Sequence, residues 1–148
     1  MNFLLGFLAL LCGLVLTSQI GSNALLGKLL GNPYIPAAAN MLIGVATTSV
    51  LLIVVHRPLP TMQAAAAVPW WTWIAGGLLG TIYLTGNILL APKLGAGALV
   101  GLVVTGQLLF AVVCDHFGWL GFAQHSVTAW RAVGCLLLIA GVALIAKF

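Results

Sequence analysis

Gln19 and Asn23 stand one helical turn apart in an otherwise apolar run, and Ser18 and Ser22 form a neighbouring pair. Primary carboxamides donate and accept hydrogen bonds without carrying charge, so they can recognise a polar group without ionising. The pattern recurs down the chain. Asn40, Gly44 and Thr47 share one helical face; Gly76, Gly80, Tyr83 and Asn87 form another stripe; Thr105 and Gln107 stand off a common line beside Gly97-xxx-Gly101. Such faces suit an internal polar cavity, because polar groups inside a membrane are costly and tend to face the protein interior. The competing reading is helix packing, in which small residues allow close approach and each interhelical hydrogen bond adds about 0.6–2 kcal/mol. No nucleophile–base set, metal-ligand cluster or phosphate loop stands out. The residues therefore point to no enzyme, no metal and no cofactor.

These faces need spanning helices to carry them. The chain has 148 residues, 63% of them hydrophobic and 4% charged, with mean hydropathy +1.23. Soluble domains carry about 25% charged residues, so lipid is the main solvent and the expected class is an all-α integral membrane protein. Continuous apolar runs exclude a barrel, whose strands alternate. Five spans are predicted over about 3–28, 36–55, 69–91, 94–114 and 127–146, forming a single transmembrane domain over 1–148. Gly31-Asn32-Pro33 stops the first span, His56-Arg57-Pro58 ends the second, and Pro92-Lys93 closes the third. "RPLPTMQAAAA" reads as a linker, Trp70, Trp71 and Trp73 as an interfacial belt, and "DHFGWLGFAQHS" as a partly apolar connection at the interface. Cys12, Cys114 and Cys135 form no CxxC and read as small buried residues. Met1-Asn2 supplies no basic region for a cleavable signal.

Net charge +4 does not imply nucleic acid, because the basic residues occur singly near the ends of apolar runs. An odd number of spans places the termini on opposite sides. Lys28, Lys93 and Lys147 then fall on one side, and Arg57 and Arg131 on the other, an excess of one. Orientation follows that excess, so insertion both ways is expected, and two opposed copies would make an antiparallel homodimer resembling an inverted repeat. Asp115 is the single carboxylate. It follows the fourth span while Arg131 opens the fifth, which suits either a structural ion pair or a proton- or substrate-coupling site, with His116 beside it. His56 and His125 read as interface residues.

"QIGSNALLG" at 19–27, "GNP" at 31–33, "PWW" at 69–71, "GQL" at 106–108, "DHFG" at 115–118 and Arg131 occur in the order found in a known family. The chain resembles the YdcZ-like family, a five-helix branch of the drug/metabolite transporter (DMT) superfamily. The resemblance implies a multi-pass bacterial inner-membrane exporter with half of a ten-helix fold. "GCLLLIAGVALI" at 134–145 is also similar to the dimer-forming last helix of small multidrug resistance transporters. That likeness makes Gly134, Gly141 and Val142 dimer-interface residues. Those transporters rely on a membrane-embedded Glu in the first helix, whereas this chain contains no Glu and offers Gln19 and Asn23. Amides favour a neutral, zwitterionic or anionic solute over a lone organic cation.

The combined expectation is a secondary transporter of a small polar organic solute, working by alternating access in an inverted dimer. Gln19, Asn23, Asn40, Tyr83, Asn87 and Gln107 would bind the solute. A dual-topology dimeric channel, and a non-transporting subunit that needs a partner chain, are the alternatives. Cysteines placed at each terminus, in a background lacking the three native ones, should label from both sides of intact cells. Labelling of each terminus from one side only would end the dual-topology expectation.

Overall fold

The computed structural model describes residues 3–56 and 58–148; Met1, Asn2 and Arg57, the last counted above among the interfacial basic residues, lie outside the described residues. Among the described residues every regular element is helical. The elements are α1 (Phe3–Leu30), α2 (Tyr34–Val54), α3 (Met62–Ala66), α4 (Trp70–Leu94), α5 (Ala96–Phe117), a 3-10 turn (Trp119–Gly121) and α6 (Ala129–Lys147). All but α3 and the 3-10 turn are long and apolar enough to cross a membrane. Their large side chains are mostly exposed, and among the described residues the buried apolar side chains reduce to Ile20, Pro36, Ala37, Leu84, Ile88, Leu99, Cys114 and Val142. Exposed leucine is at home in lipid, whose tails are equally apolar.

Two compact units divide between Ala91 and Pro92. In the first, α1 and α2 form an antiparallel hairpin. Gly31 takes φ +62°, a conformation that strains any residue with a Cβ. The Asn32 N–H then donates to Gly27 O at 3.1 Å, closing the end of α1. Asn32 Oδ1 accepts from the Tyr34 N–H at 2.9 Å and so starts α2. Gly27 marks a close approach, where a Cβ would sit in ordinary van der Waals contact. A Cβ there would lie 3.4 Å from Ile88 Cγ2 and 3.5 Å from Pro36 Cγ, so α1, α2 and α4 converge at this point. Ala37, Leu84 and Ile88 form a small core with Met41 packed against it.

The linker and the end of the third span depart from the sequence expectation. The linker contains α3, because Thr61 Oγ1 caps an alanine-rich turn by accepting from the Ala64 N–H at 3.2 Å. Pro92 lies inside α4 rather than ending it. In the last turn a proline withholds only the one hydrogen bond that would reach Ile88 O, and Gly95, at φ +79°, is the true stop.

In the second unit α5 and α6 pack through glycine. A Cβ on Gly97 would lie 3.7 Å from Ile145 Cγ2, and one on Gly101 would lie 3.2 Å from both Val142 methyls. The helix α5 continues to Phe117, so Asp115 and His116 occupy its last turn rather than the connection. Gly118, in the left-handed region, caps it by donating to Cys114 O. Thr128 Oγ1 accepts from the Arg131 N–H at 3.3 Å and opens α6. Gly101→Val should therefore destabilise the chain by about 1–3 kcal/mol, as overpacking does. Adding Val142→Ala should restore most of that loss in thermal unfolding of the purified protein.

Candidate functional site

The side chains with most hydrogen-bonding capacity meet where α1 faces α2. Gln19 Nε2 donates to Asn40 Oδ1 at 2.9 Å, and Asn23 Nδ2 reaches the same oxygen at 3.4 Å. An amide oxygen has two lone pairs, so this one is fully engaged. Among the described residues, the Asn40 amino group and the carbonyl oxygens of Gln19 and Asn23 make no hydrogen bond. All three residues are half-buried. At 1.5 Å per residue, Gln19 lies about 16 Å inside the Leu30 end of α1, away from either helix terminus.

The hairpin sets this meeting. Gly27 approaches Pro36, and their numbers add to the same total as those of Asn23 and Asn40. An antiparallel pair in one register keeps that sum constant, so the Gly31 turn places the two asparagines opposite each other. Counting outward from "GNP" could have found the pair from sequence, whereas periodicity within one helix could not.

The helix α4 brings a second polar group to the same three-helix packing. Asn87 is 3% exposed and donates from Nδ2 to Tyr83 O at 2.8 Å. Asn87 Oδ1 and Tyr83 Oη are both buried and, among the described residues, without a hydrogen-bond partner. Leu84 and Ile88, interleaved with them, pack with Ala37 and Met41, which flank Asn40 on α2. Further along the α4 stripe, Gly76 and Gly80 have open space where a Cβ would stand.

The hydroxyls behave differently. Thr17, Ser18, Thr48, Ser49, Thr81 and Thr105 each donate to the carbonyl four residues earlier, at 2.8–3.1 Å. Their hydrogens are engaged by their own helices. A groove of about 440 Å³ runs along α2 past Asn40, Gly44, Thr48 and Ser49. Thr48, a full two turns beyond Asn40, lines it in place of the expected Thr47. A second groove, of about 490 Å³, runs along α1 from Leu8 to Gln19.

The remaining predicted residues belong to the second unit. Gln107 is exposed on α5. Arg131 Nη2 lies 2.6 Å from Asp115 Oδ2, and Arg131 Nη1 donates to His125 O at 3.0 Å. The His125 N–H donates to Asp115 O at 2.7 Å, and Gln124 Nε2 to His116 O at 3.0 Å. The Val127 N–H donates to His116 Nδ1 at 3.3 Å. These bonds, with Phe117 stacked on Trp119 at 5.1 Å, fold the connection back onto the end of α5. The sequence sets His116 beside Asp115, but spacing gives no sign that Gln124 takes part. On α6, Gly134 and Gly141 have open space beside them, while Val142 is buried against Gly101 of its own chain.

Five apolar spans, with charges at their ends and uncharged polar groups within them, define a polytopic integral membrane protein. The sequence profile of one family, described as "Putative inner membrane exporter, YdcZ", matches residues 4–144. The chain belongs to this family. It is a multi-pass inner membrane protein, and its family is one of transporters rather than enzymes. No curated protein and no solved structure matches it.

If Asn40 Oδ1 is the shared acceptor, Asn40→Leu leaves two donors unpaired and should cost about 1–3 kcal/mol of stability. Gln19→Leu alone should cost less, about 0.6–2 kcal/mol. Replacing Gln19, Asn23 and Asn40 together by Leu should recover much of the loss. Equal melting temperatures for the two single variants would remove Asn40 from that role.

Proposed function

We propose that the protein is a secondary transporter that exports a small polar organic solute by alternating access. In this reading two copies inserted in opposite orientations complete a ten-helix assembly of the DMT superfamily type, and one copy rocks against the other. The supporting observation is the gathering of uncharged hydrogen-bonding groups from α1, α2 and α4 in one apolar unit, with several of their atoms unengaged. A packing role alone would use these atoms up. Gln107 is the proposed contribution of α5 to the solute path. The lining has no charge, which favours neutral, zwitterionic or anionic solutes over organic cations.

Asp115 and Arg131 close the end of α5, and the bonds that Arg131 and the Asp115 carbonyl make to His125 suit a pin for the connection rather than a direct solute contact. Gly134 and Gly141 offer an unobstructed flank of α6 to a second copy, whereas Val142, packed against Gly101, is left to intrachain packing until the subunits rearrange. Lys28, Lys93 and Lys147 end their helices and leave the interior neutral.

The test is flux. A thermal-shift screen of neutral, zwitterionic, anionic and cationic metabolites identifies solutes for counterflow in proteoliposomes. Gln19→Leu should lower counterflow at least tenfold while cross-linking still yields the dimer. Unchanged counterflow would exclude Gln19 from the solute path, and a cross-linked species absent from the wild type would exclude the dimer.

A further inference from the structure

Asn87 carries an unmet demand for a hydrogen. It is 3% exposed, its amino group is held by Tyr83 O, and its Oδ1 meets no donor. One turn earlier, Tyr83 Oη is buried and equally unpartnered. A buried polar atom without a partner destabilises a fold. Leucine at position 87 would fill a similar volume among Leu84 and Ile88 without that cost. Retaining an amide there is intelligible if its partner arrives from outside the chain.

The two atoms specify what that partner must be. With its amino group engaged, Asn87 presents only an acceptor, whereas Tyr83 Oη can donate as well as accept. A group that gives one hydrogen and receives another answers both. A hydroxyl does so, and so does an amide with an N–H. An ether, an ester or a tertiary amide brings no hydrogen for Oδ1. An ammonium brings hydrogens, but the single carboxylate of the chain, Asp115, is on α5, and α1, α2 and α4 hold no anion to neutralise it.

We infer that Tyr83 and Asn87 form a specificity subsite that selects a neutral solute bearing a hydroxyl or an amide N–H. The inference rests on the transporter reading above and names its substrate class. The group gathered at Asn40 complements it, because the Asn40 amino group offers hydrogens and the Gln19 and Asn23 carbonyls accept them. A site built to receive a hydrogen rejects an analogue lacking it far more strongly than an apolar pocket rejects a missing methylene, since its buried acceptor is then left unpaired.

The experiment measures equilibrium binding to the full chain in lipid nanodiscs. The probes are the polyols from glycerol to sorbitol, nicotinamide, and the fully methylated counterpart of each, with choline and benzoate as charged comparisons. At least one uncharged parent should bind, and its methylated counterpart should bind at least about 100-fold more weakly. In Asn87→Leu that ratio should fall below threefold. The same variant should melt at or above the wild-type temperature without ligand, which shows that it folds and that the amide serves binding rather than stability. Tyr83→Phe should weaken the parent about tenfold and leave the methylated probe unchanged. Equal binding of parent and methylated probe, a ratio that survives Asn87→Leu, or binding confined to choline or benzoate would overturn the inference. So would binding of none of the uncharged probes. Each of those results leaves solute counterflow in proteoliposomes to be judged by itself; absence of counterflow for every screened solute would overturn the transporter reading as well.

Discussion

Two helices as apolar as α1 and α2 gain little from the hydrophobic effect when they meet in lipid, because each exchanges one greasy neighbour for another. Their register must come from directional contacts and from close backbone approach. The two hydrogen bonds that converge on Asn40 Oδ1 supply the first, and the Gly27 approach to Pro36 and Ile88 supplies the second. The rest of the first unit follows from that arrangement. It sets Asn40 between Ala37 and Met41, and it brings the Tyr83–Asn87 turn of α4 to the same packing.

The second unit uses other means. The helices α5 and α6 approach through Gly97 and Gly101, with Val142 and Ile145 filling the space that the missing side chains leave. Its one ion pair lies at the end of α5, with Arg131 and Asp115 36% and 25% exposed. A charge pair in that position avoids the desolvation cost of the interior, and its neighbours fasten the connection by backbone bonds. Charge is thus kept to the ends of the helices and neutral polarity to their middles.

Much of this was legible in the residues, and the exceptions have physical causes. The five spans follow from apolar run length, and the ends lie within a few residues of the expected positions. Pro92 misled because a proline in a last turn costs a single bond, whereas Gly95 carries the backbone reversal. The helix α3 was missed because its capping threonine lies in a stretch dominated by prolines. Helical spacing correctly put Gln19 and Asn23 on one face and Tyr83 and Asn87 on another. It had no access to partners across helices: counting outward from Gly31-Asn32-Pro33 sets Asn23 opposite Asn40, but that Gln19 shares the same acceptor oxygen, and that two atoms on α4 stay unpaired, emerges only in three dimensions. The fold of the 118–128 connection was equally hidden, since it depends on Gln124, His116 and backbone groups brought together by the turn at Gly118.

Six serines and threonines of the spans, Thr17, Ser18, Thr48, Ser49, Thr81 and Thr105, turn their hydrogens back to their own helices, and the carboxamides cannot all do so. That difference divides the polar positions by how freely they can change over generations. A threonine whose hydroxyl serves only the carbonyl behind it can drift to alanine or valine with little consequence for its neighbours, so such sites are open to neutral variation. An asparagine whose oxygen holds two helices together has no comparable substitute, and descendants of this gene that altered it would need to change Gln19 and Asn23 in step. The polar residues that look most numerous in the sequence are therefore the least informative record of selection, and the few amides are the most informative.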